Sequence, residues 1–222
     1  VKAIVIACNT ASAFALDILK TEIDIPIMGV IHAGAITAAK TTKVGRIGVV
    51  GTSGTISSGI YEKTIHEINS ELEVIQKACP LLVPLVEEGL INDSVTDEII
   101  SRYVSDLKSR HIDSLVLGCT HYPLLYNTFR RIMGEGVSLV NPAYETAKEL
   151  KSLLTCENLC ADKGEVFHEF YVSDMAERFS DFASSIIPGV VKNTGVINIE
   201  EFQKTLGFAE CIQIGLARQE CT

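Results

Sequence analysis

Two cysteines stand where aliphatic runs end. In VIACNTASA (residues 5–13) the run stops at Cys8, and Asn9-Thr10 and small residues then open an amphipathic stretch. In SLVLGCTHYPLL (residues 114–125) Cys119 holds the same place, followed by Thr120-His121. Ligands of parallel α/β sheets bind beyond the carboxyl ends of strands. A helix starting there offers unpaired N–H groups and the positive end of its dipole to an anion. A thiol so placed is expected to have a lowered pKa and more thiolate character. Asn9, Thr10 and Thr120 are short donors suited to a carboxylate. Either cysteine alone is more plainly a small buried hydrophobe. Two in matched settings point to chemistry: one thiolate removes a proton from one face of a carbon, and the opposite thiol returns one to the other face. General acid–base work needs groups within hydrogen-bond reach whose pKa values lie near the working pH. A hydroxyl is too basic for this and an ordinary carboxylate too weak a base. No metal, flavin or pyridoxal is needed, so no cofactor is expected.

Other segments could complete such a site. GTSGT (residues 51–55) is a third strand-end loop, neither GxGxxG nor a P-loop. Its Thr52 and Thr55 either hold a carboxylate or cap an ordinary helix start. Glu87 and Glu88 in VPLVEEG either orient a catalytic group or are solvated. His121, two positions past Cys119, could tune or share its proton. His32, His66, His111 and His168 stand in no recognisable constellation and are read as structural.

These residues must be held by alternating strands and helices. Strand-like runs cover 1–7, 25–30, 46–52, 72–79, 112–118, 137–141, 165–173 and 189–193. Helical spacing covers 11–21, 33–42, 56–70, 82–88, 95–110, 123–133, 143–154 and 175–187. Repeated β-α units imply an α/β fold with mainly parallel sheets. The stretch after about residue 203 has no evident place in this pattern.

The chain has 222 residues, 47% hydrophobic and 21% charged, with a formal net charge of −9. A sizeable core is expected, and the acidic balance argues against nucleic-acid or anionic-membrane partners, which want clustered Lys and Arg. No run approaches the roughly 18 apolar residues of a membrane span, and no signal-peptide pattern opens the chain. The seven cysteines include no CxxC or zinc spacing. They are read as reduced thiols in a cytoplasmic protein, with Cys156 and Cys160 incidental. The first residue is Val1 rather than Met, already inside a strand-like run, so a further N-terminal part is expected.

The pair ACNTASA and LGCTHYPLL resembles the two signature segments of glutamate racemases, within the aspartate/glutamate racemase superfamily. GVVGTSGTI, CPLLVPLVEEG and VNPAYETA are similar to further stretches of that family, in the same order, and the resemblance runs to about residue 202. It implies an isomerase that interconverts L- and D-glutamate without a cofactor and supplies D-glutamate for bacterial peptidoglycan synthesis, and so for cell-wall biogenesis and cell shape. It implies Cys8 and Cys119 as the two acid/base groups, and Asn9, Thr10, Thr52, Thr55, Thr120 and His121 as substrate-binding residues. His121 resembles the histidine assisting the Cys119 side, and Glu87 a supporting carboxylate. The implied fold is two similar parallel-sheet α/β domains with the active site between them: residues 1–31 plus 141–222 as the first, incomplete domain, and 32–140 as the second. The expected partners are glutamate and a second copy of the chain in a homodimer. The family's Asp-Ser-Gly-x-Gly-Gly loop and Pro-Tyr-Gly segment have no counterpart here, so racemisation is expected to need a restored N-terminal segment. Other aspartate- or hydantoin-type racemases, a thiol-dependent decarboxylase or isomerase, and a non-catalytic dicarboxylate-binding module are the competing readings.

Overall fold

Aliphatic runs with no polar alternation become parallel strands, as strands covered on both faces should. The computed structural model describes residues 1–161, 166–191 and 193–201. Within Val1–Cys160, one compact unit, β1 (Ile4–Ile6) pairs with β2 (Ile27–Gly29). A separate four-stranded sheet has the order β4-β3-β5-β6, from β3 (Arg46–Gly51), β4 (Glu73–Ala78), β5 (Ser114–Gly118) and β6 (Ser138–Val140). Every ladder in it is parallel. The second unit, Ala161–Thr222, carries β7 (Phe170–Val172), α9 (Ala176–Ile186) and β8 (Thr194–Val196), with β7 and β8 parallel.

The core lies where β3 and β5 meet α2 (Ile31–Thr41) and α4 (Ile60–Ile68). Ile47, Val49 and Val116 pack with Ala35, Ala38, Tyr61 and Ile65, all fully buried. Burying each large aliphatic side chain stabilises the fold by about 1.5–3 kcal/mol. α2 also packs on α8 (Pro142–Cys156), while α6 (Ser94–Ser109) meets β4 and α7 (Tyr126–Met133).

Several segments depart from the sequence reading. The helix expected over 56–70 is two, α3 (Ser53–Ser57) and α4, because Gly59 takes φ 64° and breaks the run. The segment 123–133 opens as a 3-10 turn (Tyr122–Leu125) before α7. The strand expected over 165–173 is confined to β7. Among the described residues the last strand is Thr194–Val196, and Gly189, where a strand is expected to begin, turns the chain at φ 76°. In α1 (Asn9–Glu22), Phe14 and Ile18 are exposed. Its packed face carries Ser12 and Leu16 instead: a Cβ on Gly29 would come within 3.0 Å of both. The stretch after 203 lies outside the described residues.

Cys79, at the end of β4, is buried, and burial pushes its thiol from 9.0 up to about 12, Lys77 acting the other way. The unfolded thiol ionises first, so stability is full below pH 9 and falls as pH rises towards 12. Between pH 9 and about pH 10 the expected loss is about 1 kcal/mol. Urea midpoints across that range should fall less for Cys79→Ala than for the native chain. An unchanged slope would count against this role for the thiol.

Candidate active site

The connections leaving β3 and β5 run to opposite sides of the sheet, β4 lying beside β3 and β6 beside β5. Such a switch point opens a crevice at the carboxyl ends of the two strands. Their last residues, Gly51 and Gly118, are in register. A Cβ on Gly118 would lie 2.8 Å from the Val50 carbonyl oxygen and 3.2 Å from the Tyr61 ring, so only glycine lets the strands end this close.

Three loops meet above this point. Cys8 caps α1, its Sγ accepting from the Ala11 N–H at 3.4 Å, and is exposed. This is the helix-start setting expected for it. Asn9 is buried, and its Oδ1 accepts the Tyr61 hydroxyl at 2.6 Å. Thr52 caps α3 by accepting from the Thr55 N–H. The hydroxyl of Thr10 lies 2.8 Å from that of Thr52 and 2.9 Å from that of Thr55, and the last two are 3.1 Å apart. Thus Thr10, Thr52 and Thr55, distant in sequence, form one hydroxyl cluster that ties the first cysteine loop to GTSGT.

The second cysteine is differently housed. Cys119 is 7% exposed. Its Sγ lies 3.9 Å from His121 Nδ1, which also stands 3.2 Å from the Thr120 hydroxyl. The other ring nitrogen, Nε2, is 3.2 Å from Glu87 Oε1 at the end of α5 (Leu82–Glu87). A chain therefore runs from the buried sulfur to a carboxylate whose side chain is 45% exposed. Burial pushes the Cys119 thiol up; the His121 N–H, the Thr120 side chain and the Tyr122 N–H pull it down, and a charge on Cys8 raises it further. This overturns the lowered pKa expected at Cys119. The backbone beyond it enters a 3-10 turn rather than an α-helix, so the helix-terminus field is missing and desolvation dominates.

The Cys8 and Cys119 segments share a small cavity walled by Ala7, Asn9, Cys119, Thr120 and Asn141. Of the residues singled out from sequence, Asn9, Cys119 and Thr120 line it, while Cys8, Thr10, Thr52, Thr55, His121 and Glu87 lie outside its lining. Cys156 and Cys160 stand apart, exposed at the end of α8 and beyond it. Among the described residues no group of His, Cys, Asp and Glu could hold a metal ion. Sequence reasoning missed Tyr61 and Asn141. Asn141 had a signal, an Asn-Pro pair fit to cap α8; Tyr61 had only its place one turn before Ile65.

Residues 1–150 match the sequence model of the Asp/Glu/hydantoin racemase family. The chain belongs to this family. Within it, a curated glutamate racemase of Geobacter metallireducens is 42% identical over 201 residues, covering 90% of this chain and 74% of that protein. One of Streptococcus sanguinis is 43% identical over 187 residues, 83% of this chain and 70% of its own length. Among solved structures, a glutamate racemase isoform of Bacillus anthracis superposes with a TM-score of 0.85 at 38% identity, covering 89% of this chain and 74% of that one. The Francisella tularensis glutamate racemase in complex with D-glutamate gives 0.82 at 32% identity, over 89% and 73%. The α/β fold with parallel sheets agrees with these family members, and no described helix is long and apolar enough to cross a membrane.

Proposed function

We propose that this chain interconverts L- and D-glutamate with Cys8 and Cys119 as the paired acid/base groups, in the cytoplasm, supplying the D-isomer to peptidoglycan synthesis. The observation that carries the reading is the small cavity walled by Ala7 and Asn9, on either side of Cys8, and by Cys119, with the charge of Cys8 felt at the Cys119 thiol. The hydroxyls of Thr10, Thr52 and Thr55, the Asn9 amide and Thr120 supply donors for the two substrate carboxylates. In one direction the Cys8 thiolate takes the α-proton, the electron pair moves into the adjacent carboxylate, and the Cys119 thiol protonates the opposite face. Burial keeps Cys119 protonated at neutral pH, ready for that step. In the other direction the roles exchange, and Glu87 polarises His121 to assist removal of the Cys119 proton. The family's two-domain division, 1–31 plus 141–222 against 32–140, is proposed with it, supported by the separate β1–β2 and β3–β6 sheets.

Incubation with L- or D-glutamate in deuterated water, of the chain alone and of the chain joined to a family N-terminal segment ahead of Val1, tests the reading. Deuterium at Cα together with the mirror-image product is the expected result. Exchange only with another amino acid would transfer the chain to another racemase of the family. Tight glutamate binding with no exchange at any pH would leave a binding module and end the proposal.

A further inference from the structure

Tyr61 belongs to no recognised motif, yet its side chain touches both cysteine loops. It is fully buried and projects from α4 under the switch point. Its hydroxyl donates to Asn9 Oδ1 at 2.6 Å, one residue from Cys8. Its ring lies where a Cβ on Gly118 would meet Cε2 at 3.2 Å, one residue before Cys119. The Tyr61 oxygen also lies 3.4 Å from where a Gly34 Cβ would be, so α2 closes over it without a side chain. A phenol has one proton to give. Desolvation, with the charge of Cys119 adding to it, pushes this phenol far above its ordinary range, so it stays a donor.

A side-chain amide has one oxygen and one NH2. Once its oxygen is held by Tyr61, the Asn9 amide can offer only N–H donors to the cavity it lines with Cys119. We infer that Tyr61 is a positioning residue: it fixes the Asn9 amide with its NH2 towards the substrate and, through its ring, sets the spacing of the Cys8 and Cys119 loops. The inference deepens the racemase reading and rests on it. It does not make Tyr61 a catalytic group, since nothing brings its oxygen to the reacting carbon.

Three chains test it: native, Tyr61→Phe and Ile65→Val. Ile65→Val trims a buried residue one turn further along the same helix, so it reports what loss of packing alone does. Tyr61→Phe keeps the ring on Gly118 and removes only the hydroxyl. The expected result is a fall of about tenfold or more in kcat/KM for glutamate, mostly through KM, as loss of a substrate-orienting donor requires. Glutamate should also cease to protect Cys8 and Cys119 from iodoacetamide. Ile65→Val should lower Tm and leave both properties at native values. Native kinetics in Tyr61→Phe, or the same loss in Ile65→Val, would overturn the inference. If the native chain neither racemises glutamate nor is protected by it, the racemase reading has failed. The positioning role is then decided by the side-chain amide resonances of Asn9: displaced in Tyr61→Phe alone they support it, unmoved or equally displaced in both variants they end it.

Discussion

Replacing Cys8 or Cys119 by serine is expected to lower glutamate racemisation by about 10³-fold or more. The oxygen is a much weaker acid than sulfur, so a serine neither carries the negative charge needed to remove an α-proton nor gives its proton readily. The two groups act in one step sequence, so the double variant should be scarcely worse than either single one. The enantiomers have equal free energies in water. The ratio of forward to reverse kcat/KM is therefore fixed at one, and each substitution must lower both directions alike. The asymmetry appears instead in solvent exchange: with Cys119 replaced, deuterium can still enter the enantiomer whose α-proton faces Cys8. Polarimetry reads the first quantity and proton NMR the second. Cys156→Ser, at the exposed end of α8, should leave both unchanged. Racemisation that survives both single substitutions would remove the two-thiol account.

The second large effect is expected at His121. Cys119 is walled in, while the ring beside it leads to a half-exposed carboxylate. A buried thiol needs such a partner, because desolvation opposes its ionisation. His121→Asn should lower kcat by about 10²-fold, the size of one acid–base contribution, with KM changed far less. Glu87→Gln leaves the ring in place and weakens only its polarisation, so its effect should be smaller, about tenfold. Iodoacetamide gives a second measure: His121→Asn should slow labelling of Cys119 and leave Cys8 at its native rate. Equal slowing of both would mean that the substitution disturbs the fold rather than the proton path.

How far the sequence revealed this arrangement depends on the kind of contact. Cys8 and Cys119 were legible because strand ends have a signature: an apolar run, a break, then helix spacing. Thr52 and Thr55 were legible as a strand-end loop. Their union with Thr10 was not, since it depends on how α1 lies against α3. The thiol environments were half legible. A helix start could be foreseen at Cys8, but the 3-10 turn after Cys119 and the covering that raises its pKa come from tertiary packing. Tyr61 was hidden for the same reason: one aromatic on an amphipathic helix says nothing of the amide at its far end. The break at Gly59 was written in a residue type that tolerates left-handed backbone. The helical spacing over 11–21 did not tell which face of α1 is packed: Ser12 and Leu16 approach Gly29, while Phe14 and Ile18 are exposed.

The strand order has a consequence for the growing chain. β3 can join β4 as soon as both have left the ribosome, but the neighbour on its other flank, β5, is made only after α5 and α6. Pairings between stretches so far apart form slowly, because a long loop must first be closed. Until then the sheet has one open flank, and the sulfur of residue 119 has not yet been drawn under cover. Nascent chains stalled before residue 114 should therefore remain sticky and protease-sensitive, and maturation of the cleft should coincide with the arrival of its second half.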